Sequence, residues 1–328
     1  MNIALDIMGG DFSPEETLKG AASFLQKNEC EVTLLGNKDI IEDGVKKYSI
    51  DINKIKVVDC KDRVENDDLP VEVLKRKPNS PVVIGMDLVK EGKADAFISA
   101  GNSGAVMAAA LFKLGCIGKI KRPAIAAVIP TMQGRKIILD MGANVDCKPI
   151  HLLHFALMGA AYAKAELKVD NPSIGLLNIG EEKGKGNKMS RETYDLLAKR
   201  DDLNFIGNIE GRGVFLGLAD VTVCDGFTGN IFLKTVEGLA KMFMADFSSN
   251  ILEKLPDNET TQLLKEKLIE YAVKRDYKTY GGAPLLGING LCFICHGRSK
   301  SIAIKNALAN ACMFIENRGL EYIKNINF

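Results

Sequence analysis

Short apolar runs recur along the chain, and each is followed by a glycine-rich turn and then by a helical pattern. The turns of the five clearest units lie at 8–11, 100–104, 141–146, 180–187 and 225–230. Strands that alternate with helices in this way predict an α/β fold whose mainly parallel sheet is covered on both faces. Ligands of such folds bind at the carboxyl ends of the strands, so we expect all of these turns to line one crevice.

Residues 231–275 have a different pattern. Two long helices are predicted there, joined by a polar break at 256–260. The second carries apolar residues at helical spacing, namely Leu263, Leu264, Leu268, Tyr271 and Ala272. An amphipathic helix of this kind either packs against protein, within the chain or in a dimer, or rests on a membrane surface. The pattern leaves both alternatives open.

The composition is that of a soluble globular protein, with 46% hydrophobic and 26% charged residues. The net charge is only +1, so no bulk charge attracts nucleic acid or anionic lipid. The chain begins with a strand pattern that Asp6 interrupts, which is unlike a secretory signal, and no apolar run reaches the ~18 residues of a spanning helix. We therefore expect a cytoplasmic protein whose eight cysteines are reduced.

Three further patterns look like cofactor or metal sites but fit them poorly. Residues 292–296 spell the C-x-x-C-H haem motif, yet alternation along a strand would point the two thiols to opposite faces. Residues 211–217 have one residue more than a dinucleotide fingerprint and lack a convincing strand-to-helix context. Cys147, His151 and His154 could share a helix face and bind a metal, although packing is the simpler explanation. We predict neither a cofactor nor a metal.

The turns themselves are the candidate anion sites, because a strand-to-helix turn offers free backbone N–H groups and the positive end of a helix dipole. The turn Gly101-Asn102-Ser103-Gly104 suits phosphate binding, with a purely structural turn as the alternative. In the loop 180–187, Lys185 stands between two glycines and could reach a phosphate or a developing oxyanion; a solvated loop is the alternative. This is not a nucleotide-binding P-loop, since Gly186 stands where a hydroxyl should hold Mg²⁺.

Two other segments carry candidate chemistry. The turn 225–230 precedes a helix on which Lys234 lies one turn beyond Asn230 and shares its face, and Thr228 and Asn230 suit either a helix cap or ligand binding. His296 ends a predicted strand and could act as an acid or base, with a satisfied structural histidine as the alternative. The chain lacks the G-x-S-x-G nucleophile motif. Any acyl transfer is therefore expected to proceed by direct attack on the acyl donor, without a covalent acyl-enzyme.

Read together, these segments resemble the phosphate acyltransferase family of bacterial phospholipid synthesis. The matching strings are Leu5-Asp6-Ile7-Met8-Gly9-Gly10-Asp11, Ser99-Ala100-Gly101-Asn102-Ser103-Gly104-Ala105, Leu139-Asp140-Met141-Gly142-Ala143-Asn144-Val145-Asp146-Cys147-Lys148-Pro149, Leu177-Asn178-Ile179-Gly180-Glu181-Glu182, Gly184-Lys185-Gly186-Asn187, Cys224-Asp225-Gly226-Phe227-Thr228-Gly229-Asn230, Tyr280-Gly281-Gly282 and His296-Gly297. They occur in the expected order over about residues 1–315.

The resemblance implies transfer of a fatty acyl group from acyl carrier protein to inorganic phosphate, with the acyl phosphate passing to a membrane glycerol-3-phosphate acyltransferase. It also implies a three-layer α/β/α sandwich similar to phosphate acetyltransferases and isocitrate dehydrogenases. Residues 1–328 would form one domain, from which 231–275 protrude for dimer or membrane contact. The resemblance further implies a homodimer that contacts the membrane peripherally. Because carrier proteins are acidic, the basic segments 75–77 and 265–278 are candidate docking surfaces, although solvated surface charge is the simpler explanation for each.

The resemblance also assigns roles to residues. Lys185 and Asn230 would polarise the thioester carbonyl or orient phosphate, and His296 would handle a proton. The expected substrate-binding residues are Gly9, Gly10, Asp11, Gly101, Asn102, Ser103, Gly104, Asp140, Asn144, Glu181, Glu182, Asn187, Asp225, Thr228 and Gly229. The chain departs from the family at Arg298, where serine is usual, and at Lys300. A guanidinium at that position could add to anion binding.

Three rival functions remain open from the sequence. A short-chain phosphate acetyltransferase would act on acyl-CoA, and carrier dependence separates it from the first reading. A catalytically idle scaffold for lipid synthesis is disfavoured by Lys185 and Asn230, but the altered loop at Arg298 leaves it open. A dinucleotide-dependent dehydrogenase of related fold would be stabilised against heat by NAD or NADP.

We expect Lys185→Ala to lose turnover while the fold survives, because a cation near the developing oxyanion stabilises the transition state. The measurement is steady-state turnover beside a circular dichroism spectrum. Activity equal to that of the unchanged protein would remove Lys185 from the chemistry.

Overall fold

The apolar runs form the strands of one sheet in the computed structural model, which describes residues 1–256, 258–275 and 281–327. The strands are β1 (Asn2–Asp6), β2 (Glu31–Gly36), β3 (Ile55–Asp59), β4 (Ala96–Ser99), β5 (Ala124–Thr131), β6 (Gly134–Leu139), β7 (Ser173–Leu177), β8 (Asn204–Ile209), β9 (Val221–Val223), β10 (Ala283–Leu286) and β11 (Cys292–Ile294). The helices are α1 (Glu15–Leu25), α2 (Lys38–Lys47), α3 (Pro70–Arg76), α4 (Pro81–Lys90), α5 (Ser103–Lys113), α6 (Pro149–Glu166), α7 (Lys188–Leu197), α8 (Gly211–Leu216), α9 (Gly226–Asn250), α10 (Glu259–Arg275), α11 (Ser301–Glu316) and α12 (Gly319–Lys324).

The sheet consists of two parallel halves that run in opposite directions. Its order is β3-β2-β1-β4-β11-β10-β5-β6-β9-β7-β8. Neighbours are parallel from β3 to β11 and again from β6 to β8. The pairings β11–β10, β10–β5 and β5–β6 are antiparallel, so the direction reverses at the centre. A mainly parallel sheet is confirmed.

Helices cover both faces, so the predicted three-layer α/β/α sandwich is also confirmed. On one face α1, α2, α6, α11 and α12 bury a continuous apolar cluster against the sheet. On the other face α4 and α5 cover the first half and α8 and the start of α9 cover the second. Alternation along the strands explains the division, because neighbours such as Ile137 and Ile138 belong to clusters on opposite faces.

The expectation that all five turns line one crevice holds for three of them. The cavity described below is lined by Ser103, Gly142 and Asn230, from the turns after β4, β6 and β9, whereas residues 8–11 and 180–187 do not line it. Alternating strands and helices predict parallel pairing within each half. They do not reveal that residues 283–294, far along the chain, insert β10 and β11 between β4 and β5.

The outer part of α9 and the helix α10 form the predicted helical pair. On α9, Leu239, Met242 and Phe243 are 59%, 62% and 63% exposed, and on α10 Leu263 is 55% exposed. The side chains of Tyr271 and Ala272, residues 276–278 of the second basic segment, and Tyr280 lie outside the described residues. None of the helices in the described ranges is long and apolar enough to span a membrane.

Helix α6 packs so closely on the sheet that an added methyl group should destabilise the protein. A Cβ at Gly159 would lie 2.5 Å from Val221 Cγ1, whereas one at Gly238 on the exposed part of α9 would meet nothing within 4 Å. We expect Gly159→Ala to lower the free energy of unfolding by about 1–3 kcal/mol through overpacking. Gly238→Ala should raise it by up to about 1 kcal/mol through helix propensity. Urea unfolding measures both, and equal stability of Gly159→Ala and the unchanged protein would contradict this account of the packing.

Candidate active site

A buried carboxylate organises the turns of the first half. Asp6 ends β1 and is 3% exposed. Its Oδ1 accepts hydrogen bonds from the N–H groups of Met8 (2.9 Å) and Gly9 (3.0 Å), and its Oδ2 accepts one from Ser99 Oγ (2.7 Å). Ser99 Oγ in turn accepts one from Gly101 N–H (3.0 Å). Burial raises the pKa of the Asp6 carboxyl, and these donated bonds oppose the rise. Asp6 therefore ties the turn after β1 to the turn after β4.

Asp140 plays the matching part in the second half. It follows β6, is fully buried, and accepts hydrogen bonds from the N–H groups of Ile125, Ala143 and Asn144 at 2.8–3.1 Å. Asn144 Nδ2 donates to Asp140 Oδ2 and to the Pro123 carbonyl. Burial raises the pKa of this carboxyl too. Asp140 and Asn144 were both expected to bind substrate, but the carboxylate and the side-chain amide form hydrogen bonds within the protein.

The start of α9 packs directly on this network. Asn144 O accepts a hydrogen bond from Gly226 N–H at 2.8 Å. A Cβ at Gly229 would lie only 1.9 Å from the Asp140 carbonyl oxygen, so any side chain there would displace the helix. Gly229 is therefore a packing requirement, and it sets the position of the next residue, Asn230.

A cavity of about 350 Å³ lies where the turns of the two halves approach each other. Ser103 and His296 reach it from the first half, since β4 and β11 are parallel neighbours, and Asn230 and Lys234 reach it along α9. Lys234 Nζ lies 3.5 Å from His296 Nε2, while His296 Nδ1 accepts a hydrogen bond from Arg298 N–H at 3.0 Å. This hydrogen bond favours the tautomer whose ring hydrogen is on Nε2, the atom that faces Lys234. Amide, ammonium and imidazole groups thus converge at one end of the cavity, where they can bind an anion.

The other expected residues of the first half hold the turns together. Asn102 caps α5 by accepting from Ala105 N–H, and its Nδ2 donates to carbonyl groups of residues 65–68. Asp11 N–H donates to the Gly297 carbonyl, and its carboxylate lies 3.7 Å from Arg298 Nε. Gly9, Gly10, Gly101 and Gly104 form the backbone beside these contacts and are not among the residues that line the cavity. The unusual Arg298 therefore pairs with Asp11 near the cavity.

None of the residues of loop 180–187 lines the cavity, so the cavity gives no support to the loss of turnover expected for Lys185→Ala. Lys185 is exposed, and its N–H donates to the Glu182 carbonyl. Glu181 lies 3.9 Å from Arg212, and Asn187 caps α7 by accepting from Ser190 N–H at 2.8 Å.

At the start of α9, Asp225 is a helix cap. Its Oδ1 accepts from Thr228 N–H and its Oδ2 from Thr228 Oγ1, both at 2.8 Å. The helix begins at Gly226, earlier than the pattern predicts, so Thr228 to Asn230 lie within its first turns.

The cofactor-like and metal-like patterns have structural explanations. Cys292 and Cys295 are buried in clusters on opposite faces of the sheet, as predicted. Within the described part of the chain no group of three potential ligands could hold a metal ion. His151 Nδ1 accepts from Lys148 N–H and His154 Nδ1 from Lys121 N–H, and burial lowers the pKa of His154 to about 4.

Segment 211–217 was expected to lack a strand-to-helix context, and this expectation is wrong, because β8 leads into α8 there. The glycines nevertheless serve the short helix itself, with Gly217 ending it at φ 74°.

Lys234 lines the cavity beside His296, although the sequence predicted no role for it in binding or catalysis. Its ammonium also lies 3.3 Å from Glu237, which is 7% exposed and lines the cavity. The sequence did place Lys234 one helical turn beyond Asn230 on the same face of the helix. Its proximity to His296 could not be predicted, because it depends on how the central strands pair.

Comparison with known proteins identifies the family of the chain. The family model described as "Fatty acid synthesis protein" matches residues 1–320. The phosphate acyltransferase of Dictyoglomus thermophilum is 48% identical over 309 residues, which cover 94% of this chain and 92% of that protein. The phosphate acyltransferase of Thermoanaerobacterium thermosaccharolyticum is 44% identical over 324 residues, covering 99% and 96%.

Solved structures support the fold. A phosphotransacetylase from Streptococcus pyogenes superposes with a TM-score of 0.65 at 19% identity, covering 96% of this chain and 94% of that one. The EutD phosphotransacetylase from Staphylococcus aureus gives 0.63 at 17% identity, covering 98% and 94%. At this identity the likeness shows a shared fold. The near full-length relatives show more, and the chain belongs to the phosphate acyltransferase family, as an enzyme that transfers acyl groups to phosphate.

Proposed function

We propose that the enzyme transfers a fatty acyl group from acyl carrier protein to inorganic phosphate by direct attack of phosphate on the thioester. The observation that carries this proposal is the convergence of Asn230, Lys234 and His296 at one end of a cavity whose further lining is largely apolar. Such a site suits an anion and an acyl group side by side. The first turns of α9 add the positive end of a helix dipole.

The chemistry needs orientation and charge stabilisation. A phosphate oxygen forms a bond to the thioester carbonyl carbon, and the carbonyl oxygen becomes an oxyanion. Asn230 Nδ2 and Lys234 Nζ are the donors for phosphate and oxyanion, which are favoured by fixed donors in a site with little water. Collapse of the intermediate breaks the carbon–sulfur bond, and neutral His296 donates a hydrogen bond from Nε2–H to the departing sulfur. The carrier thiolate takes the proton that hydrogen phosphate brings into the site, so the acyl phosphate leaves deprotonated.

A covalent acyl-enzyme is not part of this proposal. The Cys295 thiol lines the cavity, but burial raises its pKa to about 12, so it carries its proton at neutral pH and is a poor nucleophile. Phosphate is itself a nucleophile, and holding it beside the thioester makes the step effectively unimolecular.

The remaining proposals concern partners. The chain acts as one domain in the cytoplasm, and the exposed apolar side chains of Leu239, Met242 and Phe243 support contact of the protruding helices with a second copy or with a membrane surface. A membrane glycerol-3-phosphate acyltransferase would then receive the acyl phosphate. Helix α3 offers the acidic carrier the exposed side chains of Lys75 and Arg76, and Pro70 of this helix lies beside Gly104, next to cavity residue Ser103.

The reaction is tested by release of free carrier thiol from a long-chain acyl carrier thioester, with and without phosphate. We expect release that depends on phosphate, with acyl phosphate trapped by hydroxylamine. Release from the carrier thioester should be faster than from the matching acyl-CoA. No release from a folded sample offered several chain lengths and both donors would contradict the proposal and favour a scaffold.

Removal of the Lys234 ammonium should impair turnover more than stability. We expect Lys234→Met to lower kcat/KM by roughly 100-fold or more, the usual effect of losing one donor to an oxyanion. Lys241→Met, an exposed lysine further along α9, is the matched control and should leave kcat/KM unchanged. Similar activity of the two variants would exclude Lys234 from the chemistry.

Reversing the charge of a side chain on α3 should change KM for the carrier-bound donor alone. We expect Lys75→Glu to raise KM for the acyl carrier thioester several-fold, because it repels an acidic partner, and to leave KM for acyl-CoA unchanged. Lys46→Glu on α2, in the opposite helical layer, is the control. A similar rise in KM for both donors, or for both variants, would place the carrier elsewhere.

A further inference from the structure

The sheet splits between its two central strands. β10 pairs with β5 only at Leu285–Ile125 and Leu286–Ala124. The preceding residues of β10, Ala283 and Pro284, pair with β11 on the other edge of the strand, and no described pairing joins them to β5. From Ala126 onward, the described contacts pair β5 with β6 alone. A gap therefore opens in the middle of the sheet, on the β10 side of β5.

The cavity described above extends through this gap. Its lining includes successive β5 residues, 125–129, whose side chains alternate between the two faces. Met107 of α5 and Leu233 of α9 line it on one face, and Tyr162 of α6 and Asn310 of α11 line it on the other. The cavity is thus a slot that joins the two helical layers, and Asn230, Lys234 and His296 stand at one end of it.

We infer that this slot binds the fatty acyl chain of the substrate, with the carbonyl at Asn230 and Lys234 and the methyl end beside Tyr162. The inference rests on the proposed function and adds the place of the chain. The slot is continuous with the proposed reaction centre, and its wall between the two ends is mainly apolar, formed by Met107, Ile125, Ala127, Ile129 and Leu233. Each methylene that leaves water for such a wall strengthens binding by a factor of about four.

The far end of the slot sets a limit on chain length. Tyr162 is 4% exposed and its ring is held against Phe314, with centroids 5.6 Å apart. Beyond it, Arg135 and Glu166 form an ion pair at 2.9 Å, and both line the cavity. A longer chain would have to displace Tyr162 or remove water from this ion pair, and either change opposes binding.

The position of the methyl end can be measured by fluorescence, because the chain contains no tryptophan. Y162W places a single emitter at the far end of the slot with an aromatic ring retained. The probes are long-chain fatty acids brominated either near the methyl end or near the carboxyl end. We expect the methyl-end bromine to quench Y162W at least twofold more than the carboxyl-end bromine.

F112W, on the exposed part of α5 at a side chain that is 69% exposed, is the control and should not distinguish the two probes. Equal quenching of Y162W by both probes, or no quenching by either, would overturn the inference.

A second measurement does not depend on the fold of Y162W. A127F narrows the slot midway, so the ratio of palmitoyl to butyryl transfer should fall at least tenfold, since only the long chain must pass that point. A198F, at an exposed alanine after α7, should leave the ratio unchanged. An unchanged ratio in A127F would overturn the inference. If the unchanged protein transfers no acyl group to phosphate, the proposed function fails, while the quenching experiment still decides where a fatty chain binds.

Discussion

Two buried carboxylates, Asp6 and Asp140, fix the turns from which the rest of the candidate active site is built. Each stands at the carboxyl end of a strand, one in each half of the sheet, and each accepts hydrogen bonds from backbone N–H groups of the turn that follows. A buried carboxylate is costly unless such donors satisfy it, so the turns and the aspartates constrain each other. Polar residues that resemble ligands, such as Asn144, belong to this support.

The support matters because the site is shared by two halves that run in opposite directions. Helix α9 starts on the Asp140 network, where Gly229 allows it to approach the backbone closely, and it carries Asn230 and Lys234 toward His296 in the first half. The proposed phosphate chemistry and the proposed slot for the acyl chain both depend on the central strands. The reversal of direction brings the two sets of groups together, and the split between β5 and β10 leaves room between them.

Local patterns predicted much of this fold. Apolar runs and glycine-rich turns located the strands and the helices that follow them, and the resemblance identified the family. The reversal of the sheet was not predictable from local patterns, because it depends on residues 283–294 pairing with strands that lie far earlier in the chain. Local patterns also favoured Lys185 as the catalytic cation, because it lies between two glycines. The lysine that lines the cavity is Lys234, and its place there depends on the pairing of distant strands. A proline within a strand, Pro284, was a local sign that the central pairing is incomplete.

The most direct test of the account is a crystal structure with a phosphonate analogue of a long-chain acyl phosphate, which cannot transfer its acyl group. The account predicts the phosphonate within hydrogen-bonding distance of Asn230 and Lys234, near His296, and the alkyl chain between β5 and β10 with its end beside Tyr162. A phosphonate bound at the loop 180–187, with its chain outside the slot, would contradict it.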